Sequence, residues 1–130
     1  MAGTLLDLFP KQRFDFDNGS SEVVVAKAVP VLDWMSGRLL VRVHAEGMGG
    51  TSTIRVKCFI TAPTAMDPAQ DFVASSALAE VLLDRFVAAP DLLADTLSGN
   101  PGGYLRIVVT GNQTTGTCNA TLSAALAMKE

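Results

Sequence analysis

Histidine, tryptophan and tyrosine each occur once in this 130-residue chain, and cysteine occurs twice. Each scarcity argues against a chemistry. A zinc site needs three or four Cys, His or carboxylate ligands at compatible spacing. His44, Cys58 and Cys118 stand far apart in the chain and form no such motif. A Ser-His-Asp hydrolase needs a nucleophile beside its base, and no GxSxG elbow is present. The glycine-rich GMGG and GNPGG stretches lack the lysine and hydroxyl of a phosphate-binding loop and read as loop tips. The expectation is therefore a protein that is not an enzyme and uses no cofactor and no metal.

Charge is also sparse. Ten Lys and Arg against thirteen Asp and Glu leave a net charge of −3. Bulk electrostatic attraction to nucleic acid is not expected from such a chain. No run approaches the roughly 20 apolar residues of a membrane-spanning helix. MAGTLLDLFPKQRFDFD at the start has no basic segment followed by an apolar core and a small-residue cleavage site. The expectation is synthesis in the cytoplasm without a signal peptide, with no membrane and no nucleic acid as partner. In that setting the sequons at Asn112 and Asn119 carry no meaning as glycosylation acceptors. Both cysteines fall on apolar positions of expected strands, so buried free thiols are the simplest reading. A disulfide would need neighbouring strands and an oxidising compartment.

What the chain does have is alternation. Turn signals recur every 10 to 15 residues, at DNGSS, SG, EGMGG, APTAMDP, AAP, SGNPGG and GNQTTG. Between them lie runs with a period of two, which a strand with one buried face produces. Leu39, Val41, Val43 and Ala45 oppose Arg38, Leu40, Arg42, His44 and Glu46. Ile54, Val56, Cys58 and Ile60 oppose Arg55, Lys57 and Phe59. Leu105, Ile107 and Val109 oppose Tyr104, Arg106, Val108 and Thr110. From Cys118 to Met128 the even positions are apolar, and the odd ones are Asn119, Thr121, Ser123, Ala125 and Ala127. EVVVAKAVPVL adds a strand broken at Pro30, because proline has no N–H to give a ladder. The stretch 77–99 fits either further strands or one or two short helices. The fold expected is all-β: one antiparallel β-sandwich, jelly-roll or Greek-key-like. Residues 1–20 form an N-terminal arm or first edge strand, and 21–130 form the sandwich domain.

Two clusters are candidate sites. Asp15, Asp17, Asn18 and Glu22 could offer oxygens to Ca²⁺, but their spacing misses the EF-hand loop, and Asn18-Gly19 is a favoured turn dipeptide. The other is the positive side of SGRLLVRVHAEGMGGTSTIRVKCFITAP, residues 36 to 63. Arg38, Arg42, His44, Arg55 and Lys57, with Arg106 as a further member, concentrate charge in an acidic chain. If the two runs paired as a hairpin, matching their apolar faces would put Arg42 opposite Arg55 or Lys57. Like charges directly opposite destabilise a sheet. Either an acidic partner covers this face, or the two strands lie in different sheets.

LLVRVHAEGMGGTSTIRVKCFITAPTAMDPAQDF, a valine-leucine strand, and LSGNPGGYLRIVVTGNQTTGTCNATLSAALAMKE together resemble small β-sandwich virion structural proteins of tailed phages and prophages. The resemblance covers about residues 36 to 130. It implies a virion component such as a head-decoration or other capsid-associated subunit, working as a homo-oligomer or in many copies against capsid or other virion subunits. Residues 1 to 20 fall outside it and could reach a neighbouring subunit. A carbohydrate- or ligand-binding sandwich is the alternative, although Trp34, Tyr104 and Phe59 are the few aromatics that could serve it.

Overall fold

The structure is a computed structural model that describes residues 3–17, 21–31, 36–61, 76–98, 104–113 and 117–129. Eight strands follow in order: β1 (Gly3–Asp15), β2 (Ser21–Pro30), β3 (Ser36–Met48), β4 (Thr53–Thr61), β5 (Ala79–Leu83), β6 (Asp91–Thr96), β7 (Tyr104–Asn112) and β8 (Cys118–Lys129). They form two antiparallel sheets, ordered β1-β8-β3-β6 and β2-β7-β4-β5. The pairs β4·β5, β3·β6, β2·β7 and β1·β8 are nested, like a long ribbon folded on itself and then rolled. Rolling adds β3·β8 and β4·β7 and closes each sheet. This strand order is that of an eight-stranded jelly roll.

The inner faces explain why these segments settle as strands. Leu39, Val41 and Val43 of β3 and Ile54, Val56 and Cys58 of β4 have no solvent exposure. Neither have Leu105, Ile107 and Val109 of β7, nor Leu122 and Leu126 of β8. These eleven inward positions are thus buried, each large aliphatic stabilising the fold by about 1.5–3 kcal/mol. Phe9 and Phe14 of β1 add an edge-to-face pair, with centroids 5.4 Å apart.

The helical reading of 77–99 is overturned. Ala79–Leu83 alternates strictly, with Ala79, Val81 and Leu83 buried, and pairs with β4. Leu82 and Phe86, which a helix would have buried beside Leu78, are 44% and 79% exposed. Period two wins because this short segment completes a sheet edge. Gly3–Asp15 is likewise an edge strand, paired with β8 along its length.

Two local expectations also fail. Ala45 is exposed, because the β3·β8 register slips between Val43 and Ala45. His44 is the extra residue of that bulge, and beyond it the inward positions shift by one, so Met48 packs on the core. Val108, on the outward side of β7, is nevertheless buried at 2% exposure. It stands on a central strand between Val24 and Lys57, whose alkyl stem shelters it. Of the two arrangements that the like charges left open, the structure has the second: β3 and β4 do not pair and lie in different sheets. The turn after β3, with Gly50 at φ 60°, carries the chain to the opposite sheet.

Asp17 ties the end of β1 to the start of β8. Its carboxylate accepts from the Cys118 N–H at 2.6 Å and from the Asn119 amide at 3.1 Å. Next to it, Phe16 is buried against Gly111, where an added Cβ would fall onto the phenyl ring. Residues 18–20 and 62–75, and with them Asn18 and the APTAMDP turn, lie outside the described residues.

Candidate functional site

Because consecutive strands β3 and β4 lie in different sheets, the positive residues named above do not share one face. Arg38, Arg42 and His44 stand on the outer side of the β1-β8-β3-β6 sheet. Arg55, Lys57 and Arg106 stand on the outer side of the β2-β7-β4-β5 sheet, across the sandwich. The expectation of a single six-residue face is corrected accordingly. The alternation of each strand was legible, but its sheet is decided by pairing with β7 and β8, roughly 40 to 90 residues away.

The second group is largely compensated within the chain. Glu80 of β5 lies opposite Lys57 and receives Arg55 at 3.1 Å and Lys57 at 4.0 Å. Arg55 also donates to the Thr53 hydroxyl at 3.3 Å. Pairs as exposed as these contribute at most about 1 kcal/mol, but they do remove the apparent excess charge. Arg106 lies beside Phe59 on the same side.

The first group is different. Among the described residues, no ion pair involves Arg38, Arg42 or Asp7. Their surroundings are apolar and small. Arg42 lies between Ser123 of β8 and Leu92 of β6; Leu40 lies between Ala125 and Ala94; Arg38 lies between Ala127 and Thr96. Across β8, β1 places Leu5 beside Ala127 and Asp7 beside Ala125. The low side chains of β8 form the floor between higher walls, leaving an open depression of about 460 Å³ lined by Leu5, Asp7, Leu40, Arg42, Leu92 and Ala125 among others. A second, of about 450 Å³, shares Leu5 and continues past Arg38, Thr96 and Ala127. Leu5 at 62% and Leu92 at 49% are among the few large aliphatics that the protein leaves in solvent.

His44 has a partner that sequence reading missed. The bulge turns its ring towards β8, where Nε2 lies 2.9 Å from the Ser123 hydroxyl. No local signal could pair residues 79 positions apart; the pairing requires the β3·β8 register. A serine–histidine contact becomes a nucleophilic pair only with a group orienting the other ring nitrogen and donors for an oxyanion. Among the described residues the ring has the Ser123 contact alone, on a regular sheet face.

The acidic cluster behaves as a clamp. Asp17 is engaged by the Cys118 N–H and the Asn119 amide, and these hold its carboxyl below the usual aspartate range. Asp15 pairs with Arg13 at 3.4 Å. Glu22, on β2, lies opposite Thr110. Among the described residues, no group of three or more His, Cys, Asp or Glu is placed to hold a metal ion. Cys58 and Cys118 are both free and buried, on strands of different sheets. Burial pushes the Cys58 thiol up to about 12 and raises Cys118 as well. Among the described residues, no helix is long and apolar enough to cross a membrane.

No protein-family model and no curated protein sequence matches the chain. Among solved structures, it is similar to one of T=1 particles derived from infectious bursal virus, at 9% identity and a TM-score of 0.30, covering 98% of this chain and 40% of that one. It is also similar to a structure of the infectious bursal disease virus Gt strain, at 9% identity and a TM-score of 0.26, covering 98% and 42%. The chain thus spans about two fifths of the length of each. Likeness this distant carries no weight for role or fold; the jelly-roll assignment rests on the strand order itself.

Proposed function

We propose that this protein is a non-enzymatic virion structural subunit, a decoration or other capsid-associated component of a tailed phage or prophage, which acts in many copies through protein–protein contacts. Three things support the reading. The sequence pattern of residues 36 to 130 resembles such proteins. The jelly roll is an architecture that capsid subunits use, although lectins and cupins use it too, so fold alone decides nothing. The observation that carries the reading is the outer face of the β1-β8-β3-β6 sheet. It combines exposed Leu5 and Leu92, a floor of small residues and two arginines that, among the described residues, make no ion pair. Apolar surface ringed by charge is what a docking face presents. A sugar-binding platform would instead show exposed rings, and Phe9, the aromatic lining this depression, is buried.

The test uses particles purified from the producing organism and stripped of this subunit. Purified protein is added back, and bound copies are counted for wild type, Arg42→Glu and Arg55→Glu at low and high salt. Arg42→Glu lowers occupancy and Arg55→Glu does not, because Glu80 already engages Arg55. Raising the salt weakens wild-type binding in part, since the apolar contacts persist. Full occupancy by folded Arg42→Glu at both salt concentrations contradicts the reading.

A further inference from the structure

The outer face of the β1-β8-β3-β6 sheet has the charge layout of a surface that fits itself. We propose that it joins a second copy of this chain in a two-fold dimer whose axis runs parallel to β8. The inference rests on the docking reading above and names the first partner that the face meets.

β8 divides this face into unlike halves. On one side β1 presents Asp7, level with Ala125. On the other, β3 presents Leu40 at that same level, flanked two residues away by Arg38 and Arg42. Neighbouring strands lie about 4.8 Å apart, so β1 and β3 are roughly 10 Å apart across β8. Within one molecule, neither arginine pairs with Asp7.

When two sheets face each other, a two-fold axis lies in the plane between them. An axis perpendicular to the strands sets β1 over β1 and β3 over β3, which brings arginines onto arginines. An axis parallel to β8 exchanges left and right at constant level. It lays the partner's β1 over β3, so that the second copy's Asp7 descends over Leu40, between Arg38 and Arg42. The same contact recurs on the other side, as a two-fold interface requires. Charge complementarity therefore selects the second axis and rejects the first.

Along that axis the two β8 strands meet through Ala125 and Ala127, whose small side chains allow close approach. Leu5 and Leu92 lie on the two walls, where partner contact would remove them from solvent. Four strands about 4.8 Å apart and a twelve-residue β8 define a face of up to about 750 Å². Each partner in a standard-size interface buries about 800 Å².

Sedimentation velocity on the purified full chain over a range of concentrations tests the proposal. Wild type forms a dimer. Asp7→Arg, at an exposed position without an ion pair among the described residues, keeps its circular dichroism spectrum and weakens the dimer by at least about tenfold, because the symmetry makes each substitution act twice. The triple variant Asp7→Arg/Arg38→Asp/Arg42→Asp reverses every pair and restores the dimer. Ala125→Trp, which fills the axis, abolishes it independently of charge. A wild type that stays monomeric at every concentration, an Asp7→Arg dimer of unchanged affinity, or a folded triple variant without rescue overturns the proposal. Binding to stripped particles is measured in parallel. A monomer that saturates particles sinks the dimer alone, whereas a dimer that binds no particle sinks the virion reading and leaves the dimer standing.

Discussion

The two outer faces of the sandwich carry similar residues and are not alike. On the β2-β7-β4-β5 side, Arg55 and Lys57 converge on Glu80, and Val108 is covered by its neighbours. On the β1-β8-β3-β6 side, Arg38 and Arg42 stand beside Ala127 and Ser123 with no ion pair among the described residues, between exposed Leu5 and Leu92. In sequence, RLLVR and IRVKC look like two instances of one feature. What separates them is the strand next door. β5 supplies a carboxylate directly opposite Lys57, while β6 and β8 supply threonine, alanine, leucine and serine. A charged strand face is therefore informative only once its cross-strand neighbours are known.

The comparison assumes two faces of one rigid body, and the largest effect checks that. Leu122→Ala removes a side chain with no exposure from the core common to both sheets. It should cost about 2–5 kcal/mol, in one cooperative denaturant transition. Two separate transitions would mean that the sheets unfold independently. Gly111→Ala probes the seam where the end of β1 meets β7. A Cβ there has to displace the Phe16 ring, so about 1–3 kcal/mol should be lost; an unchanged midpoint would show that the seam is loose.

The faces themselves are separated by a smaller pair of effects. Arg55→Glu sets a carboxylate beside Glu80 and should lower stability by up to about 1 kcal/mol. Arg42→Glu disturbs no ion pair among the described residues and should stay within about 0.5 kcal/mol of wild type. Equal losses in matched thermal melts would erase the distinction.

The inner layer was legible in the sequence and the outer faces were not, for a physical reason. Alternation reports on a strand's own two sides, so Val41, Val56, Ile107 and Leu122 could be placed inward from local pattern alone. Sheet membership is non-local. It sent β3 and β4 to opposite sides and divided Arg38, Arg42 and His44 from Arg55, Lys57 and Arg106. The bulge at His44 lies within a run that alternates without a visible break, so the exposure of Ala45 and the Ser123 contact had no local mark. Residues 79–83 show how little separates the two periods in a short apolar segment. Leu78, Val81 and Leu82 satisfy a helix, and only pairing with β4 made the strand the better solution.

Two further effects are smaller still. Asp17 titrates below the usual aspartate range because the Cys118 N–H and then the Asn119 amide hold its charged form. Its stabilising contribution is complete above the unfolded aspartate value and is lost as pH falls through the lower folded value. Asp17→Asn should lower stability most at neutral pH and converge on wild type in acid, which flattens the acid limb of a stability–pH curve; an identical acid limb would deny the clamp. Cys58, with its thiol pushed up to about 12 by burial, stays protonated at neutral pH. It should resist alkylation until denaturant unfolds the chain, and rapid labelling of the native protein would show that the core opens.

The most direct test of the docking face is electron cryo-microscopy of particles purified from the producing organism. The account predicts jelly-roll density in many copies, with the β1-β8-β3-β6 face and its Arg38 and Arg42 buried against protein and the Arg55–Glu80 side towards solvent. Particles that lack this subunit, or that hold it with Leu5 and Leu92 in solvent and the β2-β7-β4-β5 face buried, would contradict it.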